Sequence, residues 1–201
     1  MTPFSIKQFT QVRPLSWSAI SSFEYDPDQW FSRYILNKRQ EETNAMKFGK
    51  RFALSCEKRK SLAPVTLYSK VEYALNTVFD GIKMTGFIDT YEPHTALREF
   101  KTARTLWTQD KADQHGQIDM YLLQLYITHK VRPEDIKCYL DCIQTEERGD
   151  FSIGFVKPIK VHTFETKRSM SDILQFGARI RKVTNEMEEY CNEMKASNLL
   201  S

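Results

Sequence analysis

The segment GFIDTYEPHTALREFKT, residues 86–102, decides the fold. Two runs rich in β-branched and aromatic residues flank Pro93-His94-Thr95, which reads as a turn. In a strand, residues i and i+2 share a face. Glu99 and Lys101 therefore point one way and Phe100 the other. Asp89 ends the preceding strand and lies beside them if the two strands pair. Two carboxylates and an ammonium then meet on one patch. Carboxylate oxygens are the ligands Mg²⁺ prefers, commonly one or two of them with water and substrate phosphate. A cation held there orients water and neutralises charge gathering on a phosphate. A neighbouring lysine holds the water or stabilises the crowded phosphorus. The same three charges also make an ordinary cross-strand salt bridge, so alone they leave both readings open.

The pattern extends outward from this segment. Upstream, Thr66–Leu75 and Thr77–Tyr91 are expected strands, punctuated by Gly81 and Gly86. With Ala96–Thr102 they make a run of three antiparallel strands. Ahead of them, Ser16 or Ser18 caps a helix running towards Leu36, broken near Tyr25–Asp28 by Pro27. Residues 44–60 form a second expected helix. Downstream, Ile118, Tyr121, Leu122 and Leu125 recur at helical spacing within residues 113–130. Strands follow at Ile136–Ile143 and Phe155–Glu165. A final helix starts near Ser171, with a stripe from Ile173 to Met194 at steps of three and four. That stripe is a packing face, or a coiled-coil seam for a partner. The expected fold class is α/β (α+β): a central mixed sheet with an antiparallel three-strand meander, flanked by helices. One domain spans 1–201, with a helical part about 15–60, a sheet core about 66–165 and a C-terminal helix about 171–196.

Composition bounds the function classes. The length of 201 residues suits one domain with a real core. Seven Gly and seven Pro exclude a low-complexity chain. No apolar run is long enough for a membrane span, and Met1–Thr10 lacks a signal-peptide layout, so a cytoplasmic location is expected. The cysteines, Cys56, Cys138, Cys142 and Cys191, form no C-x-x-C pair and read as reduced buried thiols. Net charge is only +3, yet residues 33–60 hold nine Lys/Arg against three acids. A polyanion partner and a solvated helix face both fit that excess.

Six segments, in order, resemble the PD-(D/E)XK nuclease superfamily, in its RecB-like branch with CRISPR adaptation nucleases and phage exonucleases. LSWSAISSFEYDPDQWFSRY (15–34) is similar to the opening helix, FGKRFALSCE (48–57) to the G-x-x-x-H helix, and VEYAL (71–75) to a strand with a Glu ahead of the hairpin. GFIDTYEP (86–93) is similar to the G-x-x-D strand, ALREFKTA (96–103) to the D/E-x-K-T strand, and QIDMY (117–121) to the Q-x-x-x-Y helix. The resemblance implies a restriction-endonuclease-like core and a metal-dependent DNA nuclease, preferentially an exonuclease, working in DNA processing, recombination or repair in a bacterial cell or phage-infected host. It implies Asp89 and Glu99 as ligands of Mg²⁺ or Mn²⁺, with the Phe100 carbonyl as a backbone ligand. Lys101 becomes the catalytic lysine, with Gln117 and Tyr121 facing the site. Thr102 supports it, and Lys50, Arg51 and Arg104 are candidate DNA contacts. A recombination or helicase partner and a homo-oligomer are open.

Two departures stand out. The G-x-x-x-H histidine is Ala53 here, with Glu57 one turn on as a candidate accessory ligand. Asp26 stands where iron–sulfur members carry Cys, so no cluster is expected. His94, His115, His129 and His162 are not expected as ligands. Two alternatives remain: a catalytically weakened or inactive nucleic-acid-binding protein on the same fold, and an interaction module using the C-terminal helix.

Overall fold

Two consecutive residues in left-handed conformation, Asp80 (φ 51°) and Gly81 (φ 81°), make the first turn of the sheet. An Asp-Gly pair of this kind matches the right-handed twist of the strands it joins. In a computed structural model, which describes residues 3–147 and 156–197, it joins β1 (Lys70–Phe79) to β2 (Ile82–Glu92), paired from Phe79↔Ile82 to Lys70↔Tyr91. The expected first strand, Thr66–Leu75, is therefore displaced along the chain, because the turn sets the register from Phe79 backwards. Gly86 is not at a turn; it pairs with Leu75 inside the hairpin.

The sheet order is β1-β2-β3-β4-β5. β3 (Ala96–Ala103) runs antiparallel to β2, completing the expected meander, and His94 (φ 60°) makes the intervening turn. β4 (Lys137–Glu147) runs parallel to β3, so the chain must cross over a sheet face. The crossover holds α5 (Gln109–Asp113) and α6 (Gly116–His129). β5 (Val156–Thr166) returns antiparallel to β4; the parallel β3/β4 pair is what makes the sheet mixed. Phe155, the expected start of this strand, lies outside the described residues.

The first helix of the structure, α1 (Ile6–Val12), has no expected counterpart. α2 (Trp17–Tyr25) is capped by Ser16, whose hydroxyl accepts from the Ala19 amide at 3.3 Å. The break at Pro27 is as expected: Asp26 caps α3 (Pro27–Trp30), and a single π-helical turn, Phe31–Ile35, extends it. α4 (Asn44–Glu57), capped by Thr43, stops three residues before the expected end. Arg59 there adopts φ 52°, and its guanidinium donates to the Tyr68 and Ser69 carbonyls.

α7 (Met170–Ser197) buries Ile173, Phe176, Ile180, Val183, Met187 and Cys191 in the main core, beside α6 residues Ile118, Leu122 and Leu125. The stripe is thus spent within the chain, which removes its use as a coiled-coil seam. α7 also holds the start of α1: the Phe4 amide donates to Asn192 at 2.6 Å and the Ile6 amide to Glu188 at 2.8 Å. On the other sheet face, Phe48, Phe52 and Cys56 of α4 pack with Ile143 and Phe100. All four cysteines are buried and unpaired. Among the described residues, no helix is long and apolar enough to cross a membrane.

Candidate active site

β2 and β3 pair at Glu92↔Ala96, Tyr91↔Leu97 and Thr90↔Arg98, and then part. The next residues along the two strands are Asp89 and Glu99, so both carboxylates stand at the mouth of a fork. Beyond it, the Phe100 amide has lost its strand partner on the β2 side. Asp89 supplies one, its Oδ2 accepting that N–H at 2.5 Å. Asp89 thus meets β3 through this side-chain bond, where continued strand pairing was expected.

Strand alternation places Glu99 and Lys101 on the α6 side, as expected. Lys101 Nζ donates to Glu99 Oε1 at 2.7 Å and to Gln117 Oε1 at 2.5 Å. Gln117 Nε2 donates to the Tyr121 hydroxyl at 2.5 Å, since the two lie one helical turn apart on α6. That hydroxyl has one proton, directed between the Phe87 carbonyl and Glu99 Oε2, the latter at 3.1 Å. Tyr121 therefore spans the fork from β2 to β3. Glu99 is 3% exposed, so its charge depends on these donors.

α6 approaches this closely because of Gly86. A Cβ there would lie 2.7 Å from Gln124 Oε1 and 3.0 Å from a Tyr121 ring carbon.

The electrostatics are those of crowded acids. Burial pushes the Asp89 pKa well above the usual carboxylate range, and the Glu99 charge adds to it; the Phe100 amide and Lys101 pull the other way. Burial also raises Tyr121, as do Glu99 and Asp89, keeping the phenol protonated and a donor.

Glu72 is a further member of the cluster that the expected site set omitted, although VEYAL contains it. It lies on β1 opposite Asp89, between the pairs Val71↔Thr90 and Tyr73↔Ile88. Its φ of 50° is a strained value inside a strand. Burial, then the charges of Glu57 and Glu99, raise its pKa. Glu57 itself is exposed on the last turn of α4, close enough to act on Glu72.

Other candidates fall elsewhere. Thr102 does not join Lys101; its Oγ1 faces α4, 3.5 Å from where a Gly49 Cβ would stand. Phe100 sends its ring the same way, onto Phe52 at 5.7 Å between centroids. Lys50 is exposed and paired with Glu42; Arg51 and Arg104 are exposed. His115 precedes α6 between the rings of Trp17 and Trp107. Burial, then the Lys101 charge, lowers its pKa to about 3, so it stays neutral. His129 contacts the Tyr73 hydroxyl at 3.2 Å and the His94 ring edge-on.

Among the described residues, no three His, Cys, Asp or Glu side chains group tightly enough to hold a metal unaided. Asp89 and Glu99, with the Phe100 carbonyl as a candidate third oxygen, offer the kind of oxygen donors that a hard cation such as Mg²⁺ would take alongside water. Asp89, Glu99 and Glu72 repel one another, and a bound cation would relieve that repulsion.

No family model matches the sequence, and no curated protein does. Solved structures do. A phage-related exonuclease from Haemophilus somnus 129PT aligns with a TM-score of 0.51 at 9% identity, over 98% of this chain and 96% of that one. This chain shares that protein's fold. It is also similar to LHK-Exo, solved with dAMP, at TM-score 0.48 and 12% identity over 96% and 97% of the two chains. A putative exonuclease from Eubacterium rectale gives 0.39 and 13% over 94% and 68%. At such identities the likeness is one of fold. The five-stranded mixed sheet flanked by helices is the α/β arrangement expected from the sequence.

Proposed function

We propose that this protein is a metal-dependent DNA nuclease, and by preference an exonuclease. One observation carries the reading: Glu99, Lys101, Gln117 and Tyr121 form one hydrogen-bonded group at the β2/β3 fork, and Asp89 stands at the same fork, held by the Phe100 amide. A structural salt bridge needs only Lys101 and Glu99. It does not need a second carboxylate at the fork, repelled by Glu99, nor a phenol and an amide locking both partners.

Asp89, Glu99 and the Phe100 carbonyl would hold Mg²⁺ or Mn²⁺. Bound there, the cation would supply Lewis acidity towards a phosphate and lower the pKa of water. The chain's own groups do the rest. Lys101 has three ammonium protons, two of which go to Glu99 and Gln117. The third is available to the attacking water or to a phosphate oxygen. Gln117 and Tyr121 hold the lysine and Glu99 in place, so little reorganisation is needed as charge builds. Hydrolysis forms a bond from the water oxygen to phosphorus and breaks a P–O ester bond. The departing oxygen takes a proton. Lys50, Arg51 and Arg104 are the proposed backbone contacts.

The test is degradation of linear single- and double-stranded DNA with Mg²⁺ or Mn²⁺, with Lys101→Ala as control. Loss of activity in the variant supports the reading. Equal activity in both preparations points to a contaminant, and none with either metal overturns it. A second reading, binding without cleavage, is favoured by Ala53, which puts a methyl group where related helices carry an imidazole. DNA binding without cleavage would establish it.

A further inference from the structure

Phe87 stands two residues before Asp89 on the same strand, and residues at that spacing share a face. It is 52% exposed, unusual for an aromatic in the middle of a sheet. Its cross-strand partner is Ala74, whose methyl group leaves the ring uncovered. Its own carbonyl accepts the Tyr121 hydroxyl, so the backbone under the ring is fixed to the group that holds Glu99.

The surroundings continue the pattern. On β1, Ala74, Asn76 and Val78 are exposed, alternating with buried Leu75 and Thr77. Lys83, Thr85 and Phe87 face them across the hairpin. These six residues include one cation and no acid. A cavity of about 480 Å³ lined in part by Val12, Asn76, Val78 and Lys83 extends the face away from the fork.

We propose that Phe87 is the stacking platform for the nucleobase adjoining the phosphate at the fork, with single-stranded DNA as the ligand. The proposal rests on the nuclease reading and deepens it. Nucleic acid cannot approach Glu72, Asp89 and Glu99 backbone-first, because phosphates are repelled there until a cation intervenes. It approaches the acid-free hairpin face at no such cost, bases towards the protein. Every base has a π-face, so an aromatic platform holds the strand whatever its sequence. Ring and carboxylate share one strand face, so a base seated on Phe87 brings the next phosphate to Asp89.

The experiment uses the full chain carrying Lys101→Ala, which leaves the strand uncut. The probe is a 12-nucleotide single-stranded DNA with 2-aminopurine placed at each position in turn. The expected result is fluorescence quenching at one position. Phe87→Ala added to this background removes the quench and weakens binding roughly 5- to 100-fold, the scale of one lost base–aromatic stack. Phe87→Trp retains both. Unchanged affinity and quenching in Phe87→Ala overturn the platform while leaving DNA binding intact. A change in oligomeric mass on gel filtration with Phe87→Ala, at constant DNA affinity, also overturns it and assigns the face to a second copy of the chain. Failure of the Lys101→Ala parent to bind DNA overturns the nuclease reading and the platform together.

Discussion

Lys101 offers three ammonium protons, and the described residues provide acceptors for two. This sets the first expectation. Lys101→Ala should lose at least about 100-fold in DNA hydrolysis, the scale of a lost proton-handling or charge-stabilising group. Its circular dichroism should be unchanged, since the side chain is partly exposed. Glu72 gives the second. Its carboxylate is raised by burial and by Glu57 and Glu99, so without metal it strains the fork. Glu72→Gln should therefore unfold at higher urea in EDTA, by about 1 kcal/mol, on the order of one relieved like-charge contact. It should also gain less from added Mn²⁺ than the wild type, because a ligand stabilises in proportion to its occupancy of the folded state. A variant equal to wild type in both urea series would remove Glu72 from the cluster. The core of the site was legible at this scale. Glu99 and Lys101 follow from the two-residue period of a strand, and Gln117 and Tyr121 from the four-residue step of a helix. Thr102 was misplaced although the same period puts it with Phe100. Glu72 was passed over because a left-handed residue inside a strand leaves no periodic trace.

At the scale of elements, α6 and the hairpin meet through Gly86. Gly86→Ala would drive a methyl into Gln124 and Tyr121 at 2.7 and 3.0 Å. Overpacking of this kind costs about 1–3 kcal/mol, and here it also moves Tyr121 off Glu99. Urea denaturation and DNA hydrolysis should therefore fall together; loss of stability with full activity would contradict the placing of Tyr121. The glycine was visible in the sequence, but as a punctuation mark. Only the register shows that it answers a helix on the face above. His115, ahead of α6, brings a dependence on acid. Its folded pKa is about 3 against an ordinary 6.5. Between those values the unfolded chain binds a proton that the folded chain refuses, so stability falls as pH drops from about 6.5 towards 3. Asp89, Glu72, Asp119 and Asp141 are raised and contribute in the opposite direction. Wild type must therefore be compared with His115→Phe. The variant should lose less stability between pH 7.5 and 5, by about 2 kcal/mol. Equal losses would show that the imidazole is protonated in the fold.

For the whole molecule, the meander, the mixed sheet and the long last helix were legible because each has its own hydrophobic period. Strand ends were less so. The hairpin register comes from Asp80 and Gly81, which outweigh the β-branched run at Thr66. α1 was invisible: seven residues with two buried, Ile6 and Thr10, are too few to show a period. Its place is set from the far end of the chain by Glu188 and Asn192.

That long-range clasp has a consequence for synthesis. Its hydrogen bonds join residues 188 and 182 positions apart. At about 5–20 residues per second, roughly ten to forty seconds separate the emergence of the two sides from a ribosome. α1 can seat on β2 in the meantime, where the Lys83 amide donates to Thr10, but its first turn stays without these two acceptors. The nascent chain thus carries α1 half-fastened, open to a chaperone or a protease, until α7 arrives to close the clasp.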